Sequence, residues 1–166
     1  MEAILSRRSI RNYTEQPVSD EVLKELLNAA MSAPSAGNAQ PWHFIVINEH
    51  KILDEIPKFH PYSRMLKKAP VAICVCGDLQ REKFEGFWVQ DCSAATQNLL
   101  IAAQAKGLGA VWLGIYPRED IVDAMRKLLS LPEYVTPLSL VSIGYPAEQK
   151  PPVNRYDPSK IHYNQW

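Results

Sequence analysis

The segment from Trp88 to Lys106, WVQDCSAATQNLLIAAQAK, constrains the fold more than any other part of this chain. It is the longest stretch of helical character, and Gly107 stands where a helix ends on a C′ glycine. Its second half carries Leu99, Leu100, Ile101, Ala102, Ala103 and Ala105, so apolar side chains point in nearly every direction. A helix of that kind has no face to give to water and is buried on all sides. At 166 residues the chain is large enough for one real core. It can bury such a helix at the centre of that core or against a second subunit, and the pattern leaves both open.

The flanking segments supply what such a helix packs on. WHFIVIN (42–48), PVAICVCGD (70–78), GAVWLGI (109–115) and PLSLVSIGY (137–145) are apolar or β-branched runs and read as strands. Residues 2–6 read as a short helix. Ser19, Asp20 and Glu21 supply an N-cap and an acidic first turn, and Val22, Leu23, Leu26, Leu27 and Ala30 follow at helical spacing to about Ala33. Residues 49–56 and 62–68 read as short helices and 118–129 as an amphipathic one. No repeat or low-complexity stretch divides the chain, which predicts a single domain over 1–166. Beyond Pro146, the prolines at 151, 152 and 158 rule out a long helix over most of the tail. Yet Tyr156, Ile161, Tyr163 and Trp166 carry too much aromatic surface for a disordered end. The tail, 146–166, is expected to pack on something, a partner subunit included.

Charge and cysteine usage narrow the function classes. Lys and Arg total 18 against 18 Asp and Glu, so no global field favours nucleic acid or an anionic membrane. No apolar run approaches the roughly 18 residues of a membrane span, and the charged N-terminus lacks a signal-peptide core. A soluble, cytoplasmic protein is expected. Cys74, Cys76 and Cys92 form no C-x-x-C pair and read as buried thiols, and His43, His50, His60 and His162 show no metal-ligand spacing.

Against this neutral background four segments carry unusual residues. SRRSIRNY places Arg7, Arg8 and Arg11 within five residues; guanidinium groups suit a phosphate, although carboxylates such as Glu2, Glu15 or Asp20 could equally pair them. PSAGNAQPW (34–42) is bounded by prolines; Ala36 and Gly37 let backbone approach a flat ligand, while Ser35, Asn38 and Gln40 offer donors and acceptors. GLGAVWLG (107–114) is no dinucleotide fingerprint, because no strand precedes it and no helix opens on its last glycine. Its glycines suit a backbone that approaches a planar ring. KPPVNR (150–155) is a second basic patch, whose Arg155 could join Arg7 and Arg11 on a phosphate. There is no P-loop, no G-x-S-x-G and no Cys–His signature, which points to chemistry carried by a cofactor.

In this order, RRSIRNY, APSAGNAQPWHF, QDCSAATQNLLIAAQAKGLGAVWLG and the GYP that leads into the basic tail resemble the FMN-dependent nitroreductase family over nearly the whole chain. The resemblance implies an α+β fold whose central, mostly antiparallel mixed sheet is flanked by helices. It also implies an intertwined homodimer with FMN at the subunit interface, the 94–105 helix at the dimer core and the tail wrapped on the partner. Carried over by residue, Arg7, Arg8, Ser9 and Arg11 match the N-terminal FMN-binding segment, with Arg7 on the phosphate and Arg11 by the pyrimidine edge. Pro34, Ser35, Ala36, Asn38 and Gln40 belong to the loop that approaches the ring from the opposite subunit. Trp112, Leu113 and Gly114 match the strand end beside the flavin N5, and Arg155 or Lys150 would be the second phosphate ligand.

The implied reaction is ping-pong hydride transfer: NAD(P)H reduces the flavin, and a nitroaromatic, quinone or free flavin then reoxidises it. No acid or base from the chain is required. Only LQREKFEGFW separates the second strand from the long helix, where many family members insert a helical cover, so a more open flavin face and a broad acceptor range are expected. The same shortness counts against the dehalogenating branch. A flavin-storage protein with little turnover is the alternative, and a nucleic-acid module finds no second basic stripe.

Overall fold

A computed structural model describes all of residues 1–166. Its elements in chain order are α1 (Glu2–Ser6), α2 (Asp20–Met31), β1 (Trp42–Ile47), α3 (His50–Leu53), β2 (Val71–Asp78), α4 (Trp88–Ala105), β3 (Gly109–Gly114), α5 (Glu119–Leu128) and β4 (Val135–Gly144). Short 3₁₀ turns lie at Ala36–Asn38, Ile56–Lys58, Arg64–Lys67 and Pro158–Lys160. The strands form one sheet in the order β1-β2-β4-β3, antiparallel throughout. Beyond β3, Ser9 makes an isolated parallel bridge to Ala110, which gives the sheet its mixed character.

The central strands β2 and β4 are buried along their whole length, so their two faces feed two cores. On one face Val71, Ile73 and Val75 pack with Val141 and Ile143 beneath α2 and α4. On the other, Ala72, Cys74 and Cys76 pack with Leu140, Leu113 and Ile121 of α5. Pro137 interrupts β4 where a proline has no ladder donor, and the register shifts there, opposite Val75 and Cys76. Cys74 and Cys76 do share a face, with their sulfurs 3.6 Å apart. The hydrogen bond with Cys76 and burial push the Cys74 thiol up, and burial pushes the Cys92 thiol up, so these two stay unreactive; all three cysteines are free and buried.

Within one chain, Ala95, Leu99, Leu100 and Ala103 of α4 are covered by the sheet and α2. A stripe of Gln90, Gln97, Ile101 and Ala105 remains at least partly open. The core thus accounts for most of the burial that the helix demands. The tail divides. Its first part runs along the N-terminal segment of its own chain, with Tyr13 bridged to Pro146 and the Ala147 N–H donating to the Asn12 carbonyl at 2.9 Å. Its second part leaves Tyr156, Tyr163 and Trp166 at least 74% exposed. No helix is long and apolar enough to cross a membrane.

Candidate functional site

Residues 7–11 are held as an extra edge beside β3. The Ile10 N–H donates to the Ala110 carbonyl at 3.0 Å, and Gly109 is the residue that permits this approach, since a Cβ there would lie 2.6 Å from Ile10 Cγ2. Tyr13 closes the segment: its buried hydroxyl donates to the Ile10 carbonyl at 2.8 Å and accepts from Ser142 Oγ at 2.9 Å. Burial pushes the Tyr13 hydroxyl up to about 12. The segment is therefore pinned at both ends of its contact with the sheet.

Arg7 and Arg8 line a cleft of about 460 Å³ with Asn154 and Arg155 of the tail. None of Arg7, Arg8, Arg11 and Arg155 enters an ion pair, which removes the carboxylate partners that the sequence left open. Burial first, then the like charges of Arg155 and Arg8, hold the Arg7 guanidinium below its usual range. Guanidinium groups gathered without counter-ions suit an anionic ligand. Arg8 also clamps neighbouring backbone: Nε donates to the Pro151 carbonyl at 2.9 Å, and Nη1 to the carbonyls of Leu5 at 3.0 Å and Arg7 at 2.7 Å. Its Nη2 is buried without a partner.

Lys150 is already engaged. Its ammonium group donates to the Ser9 carbonyl and lies 3.5 Å from Glu148. Glu148 accepts the Arg11 N–H at 2.6 Å, and that bond and Lys150 hold its carboxyl below the usual range. Of the two tail residues expected on a phosphate, Arg155 is therefore the one free to take it, while Lys150 ties the tail to the backbone of Ser9.

At the far end of this segment Arg11 borders a second cleft, of about 550 Å³, with Trp112, Leu113 and Gly114 at the end of β3. Its opposite wall comes from His60, Tyr62 and Arg64. His60 is only 2% exposed. Its Nδ1 accepts the Tyr62 N–H at 3.3 Å, which assigns the proton to Nε2, and Nε2 donates to the Gly114 carbonyl at 3.0 Å. Sequence reasoning passed over His60, because nothing in its local context marks a bond to a residue 54 positions away.

The 34–40 loop is shaped by its own hydrogen bonds. Ser35 Oγ accepts the Gln40 N–H at 3.0 Å, and Gln40 Nε2 donates to Asn38 Oδ1 at 2.7 Å. Gly37, Asn38 and Gln40 all have positive φ, at 57°, 53° and 48°. For Asn38 and Gln40 that conformation costs roughly 1–2 kcal/mol each, so the surroundings hold it in place. Asp91 of α4, 5% exposed, accepts the Ala36 N–H at 2.9 Å on Oδ1, and its Oδ2 is buried without a partner. Lys83 donates to the Gly37 carbonyl at 2.6 Å. The short 79–87 connection thus folds onto this loop, with Phe84 and Phe87 exposed at ring centroids 5.8 Å apart. The role of Asp91 was likewise missed, since in the sequence it reads as one more residue of a helix.

One chain does not bring these parts together. The loop leads into β1 at one edge of the sheet, whereas Arg7–Arg11 lie beyond β3 at the other. Four strand spacings separate β1 from the arginine segment, about 19 Å. Pro34, Ser35 and Ala36 line a different groove, walled by Phe87, Gln90 and Asp91 of the α4 end.

The model of the Nitroreductase family matches residues 4–61 and 57–145. The chain belongs to the nitroreductase family. It is 52% identical over 166 residues to a protein of Methanothermobacter thermautotrophicus, provisionally named an NADH dehydrogenase/NAD(P)H nitroreductase, covering 100% of this chain and 87% of that one. A crystal structure from Parabacteroides distasonis, of a protein with the same provisional name, superposes with a TM-score of 0.96 at 44% identity, over 99% of this chain and 97% of the other. A second, from Desulfovibrio desulfuricans, is provisionally named a nitroreductase and was solved with FMN. It gives a TM-score of 0.86 at 34% identity over 99% and 96% of the two chains.

The residues of this nitroreductase suit such a cofactor on their own chemistry. A dianionic phosphate needs several charge-assisted donors, and Arg7, Arg8 and Arg155 line one cleft without carboxylates. Arg7 and Arg11 are four residue steps of extended chain apart, about 13 Å, which sets a cation in each of the two clefts.

Proposed function

We propose that this chain is an FMN-dependent NAD(P)H oxidoreductase acting as a homodimer, and the gathering of Arg7, Arg8 and Arg155 without counter-ions carries the reading. When bound, FMN supplies hydride chemistry between a reduced nicotinamide and a small acceptor, such as a nitroaromatic, a quinone or a free flavin. Arg7 and Arg155 would hold the phosphate, with Arg8 beside them while it clamps the tail. Ser9 lies between them and the ring. Arg11 would stand by the ring's pyrimidine edge, where positive charge favours the reduced, anionic form. The backbone of Trp112 to Gly114 would border the N5 side, and His60 fixes Gly114 through its carbonyl.

The loop with Pro34, Ser35, Ala36, Asn38 and Gln40 comes from the second copy. The sheet order supports this, since the loop and the arginines stand at opposite edges of one chain. The apolar tail residues and the open stripe on α4 give the second copy surface to cover. No side chain is needed to move a proton; the protein binds, orients and tunes.

Purified protein is expected to be yellow or to reconstitute with FMN. Loaded protein should oxidise NADH or NADPH with a nitroaromatic or quinone acceptor, in parallel-line initial-rate patterns, and should elute as a dimer. Fully loaded protein that turns over no donor would leave a flavin-storage role, and protein that cannot be loaded would overturn both readings.

A further inference from the structure

The hydrogen bonds made by residues 34–40 stay almost entirely inside the loop. Ser35 takes the Asn38 N–H on its carbonyl at 2.9 Å and the Gln40 N–H on Oγ at 3.0 Å. The Ala36 carbonyl takes the Ala39 N–H at 3.1 Å, and the Gln40 side chain reaches Asn38. Only two bonds leave the loop. Asp91 Oδ1 accepts the Ala36 N–H at 2.9 Å, and Lys83 donates to the Gly37 carbonyl at 2.6 Å. We propose that Asp91 is a positioning residue for the cofactor, fixing the loop in the shape in which it meets the flavin, with Lys83 as the second hold. The proposal deepens the oxidoreductase reading and rests on this loop reaching the flavin of a second copy.

Energetics single out Asp91. It lies in the first turn of α4, buried, with Oδ2 unpartnered and no cation paired to it. A buried carboxylate gives up its hydration, and here one backbone N–H and the positive end of the helix are what it receives in return. An apolar residue would serve the core at lower cost. A chain keeps such a charge where function gains from it. Its place suits the task as well. The Asp91 N–H donates to the Phe87 carbonyl at 3.0 Å, which ties it into α4, and α4 is packed on the sheet and on α2. Oδ1 is therefore a fixed point, and the loop takes its position from the helix.

The loop needs such a point. Gly37, Asn38 and Gln40 are all left-handed, a set of conformations that a free segment would not keep. The 79–87 connection closes on the loop as well: a Cβ at Gly37 would lie 3.1 Å from both Lys83 Cδ and Phe84 Cε2. What the two holds present is a set of donors. The N–H groups of Ser35 and Gly37 and the side-chain Nδ2 of Asn38 make no hydrogen bond within the chain, so they are free for the carbonyl and ring-nitrogen acceptors of a flavin.

The test compares the full wild-type chain with Asp91→Asn, Asp91→Ala and Lys83→Met, each with and without FMN. Asparagine keeps an oxygen for the Ala36 N–H and removes the charge, alanine removes both, and methionine at 83 keeps the stem on Gly37 and removes the bond. FMN affinity by fluorescence titration is expected to fall about tenfold in Asp91→Ala and about threefold in Asp91→Asn and Lys83→Met. The melting temperature of FMN-free Asp91→Asn should stay level or rise, since a buried charge is gone; a merely structural role would lower it. Hydrogen–deuterium exchange without FMN should quicken in the 34–40 peptide of Asp91→Ala and return towards wild type in Asp91→Asn, with β2 unchanged. An affinity within about twofold of wild type in all three variants would overturn the proposal, and so would unchanged exchange of the loop. Should Asp91→Ala not fold, Asp91→Asn decides by affinity and Lys83→Met by both measurements. Wild-type protein that binds no FMN would sink the oxidoreductase reading, and the exchange result alone then decides whether Asp91 fixes the loop.

Discussion

Replacing Arg7 by alanine should move two quantities in opposite directions. In the ligand-free protein Arg7 is a liability: half-buried, beside Arg155 and Arg8, with no carboxylate in reach. Removing it relieves like-charge repulsion, so the stability of the apo protein is expected to stay level or rise. With FMN bound, the proposed site has the same guanidinium donating to a dianionic phosphate, and hydrogen bonds to charged groups contribute about 1.5–3 kcal/mol. Loss of that contribution weakens FMN binding about 10- to 150-fold. Arg155 and Arg8 remain, which keeps the loss within this range rather than abolishing binding. Fluorescence titration of FMN at fixed ionic strength reads the affinity, and thermal unfolding with and without saturating FMN reads the two stabilities. Ligand-linked stabilisation falls with affinity, so the gap between the two melting temperatures should narrow in the variant. An FMN affinity within twofold of wild type would refute the phosphate assignment. An apo protein destabilised by more than about 1 kcal/mol would instead show that Arg7 serves the fold, because a surface substitution away from special features stays within about 0.5 kcal/mol.

Two further perturbations probe how the arginine segment is held. Gly109→Ala would set a methyl group 2.6 Å from Ile10 Cγ2 and 2.8 Å from Ile10 Cβ. The segment must then lift from β3, at a cost of about 1–3 kcal/mol in urea unfolding and with weakened FMN binding; an unchanged FMN affinity would mean the segment's position on β3 is not what orders the site. Tyr13, pushed up to about 12 from an ordinary value of 10.0, supplies stability that is fully present below pH 10 and lost as pH rises through 12. The full loss is about 2–3 kcal/mol, readable as a falling urea midpoint above pH 10. Tyr13→Phe should flatten that fall, and an equally steep fall in the variant would assign it to other groups.

Much of the fold was legible along the chain because its signals are local. Ser19 caps α2 as expected, its side chain accepting the Val22 N–H at 3.4 Å, and α4 runs from Trp88 to Ala105 as its composition demands. All four strands lie within two residues of their expected bounds, since β-branched runs between turn residues are self-announcing. β4 alone begins early, at Val135, because a shift in register lets the ladder continue past Pro137. The family motifs were equally local, which is why the arginines, the loop and the strand end could be singled out before any fold was known.

The pairings among those motifs were not. That Lys150 is engaged by Glu148 and the Ser9 carbonyl while Arg155 has no ion pair is a matter of which segments meet, and Arg8 became a clamp because Pro151 returns to it. His60 with Gly114, and Asp91 with Ala36, join residues more than 50 positions apart. Such bonds follow from strand order and from the angle at which helices cross the sheet, and neither leaves a trace in residue spacing. The sequence by itself determined which elements form and which residues could carry chemistry, because propensity, capping and periodicity act over a few residues. Only the tertiary structure decided which of those residues meet. It set the loop and the arginines at opposite edges of one sheet, which is why the proposed site takes its loop from a second copy.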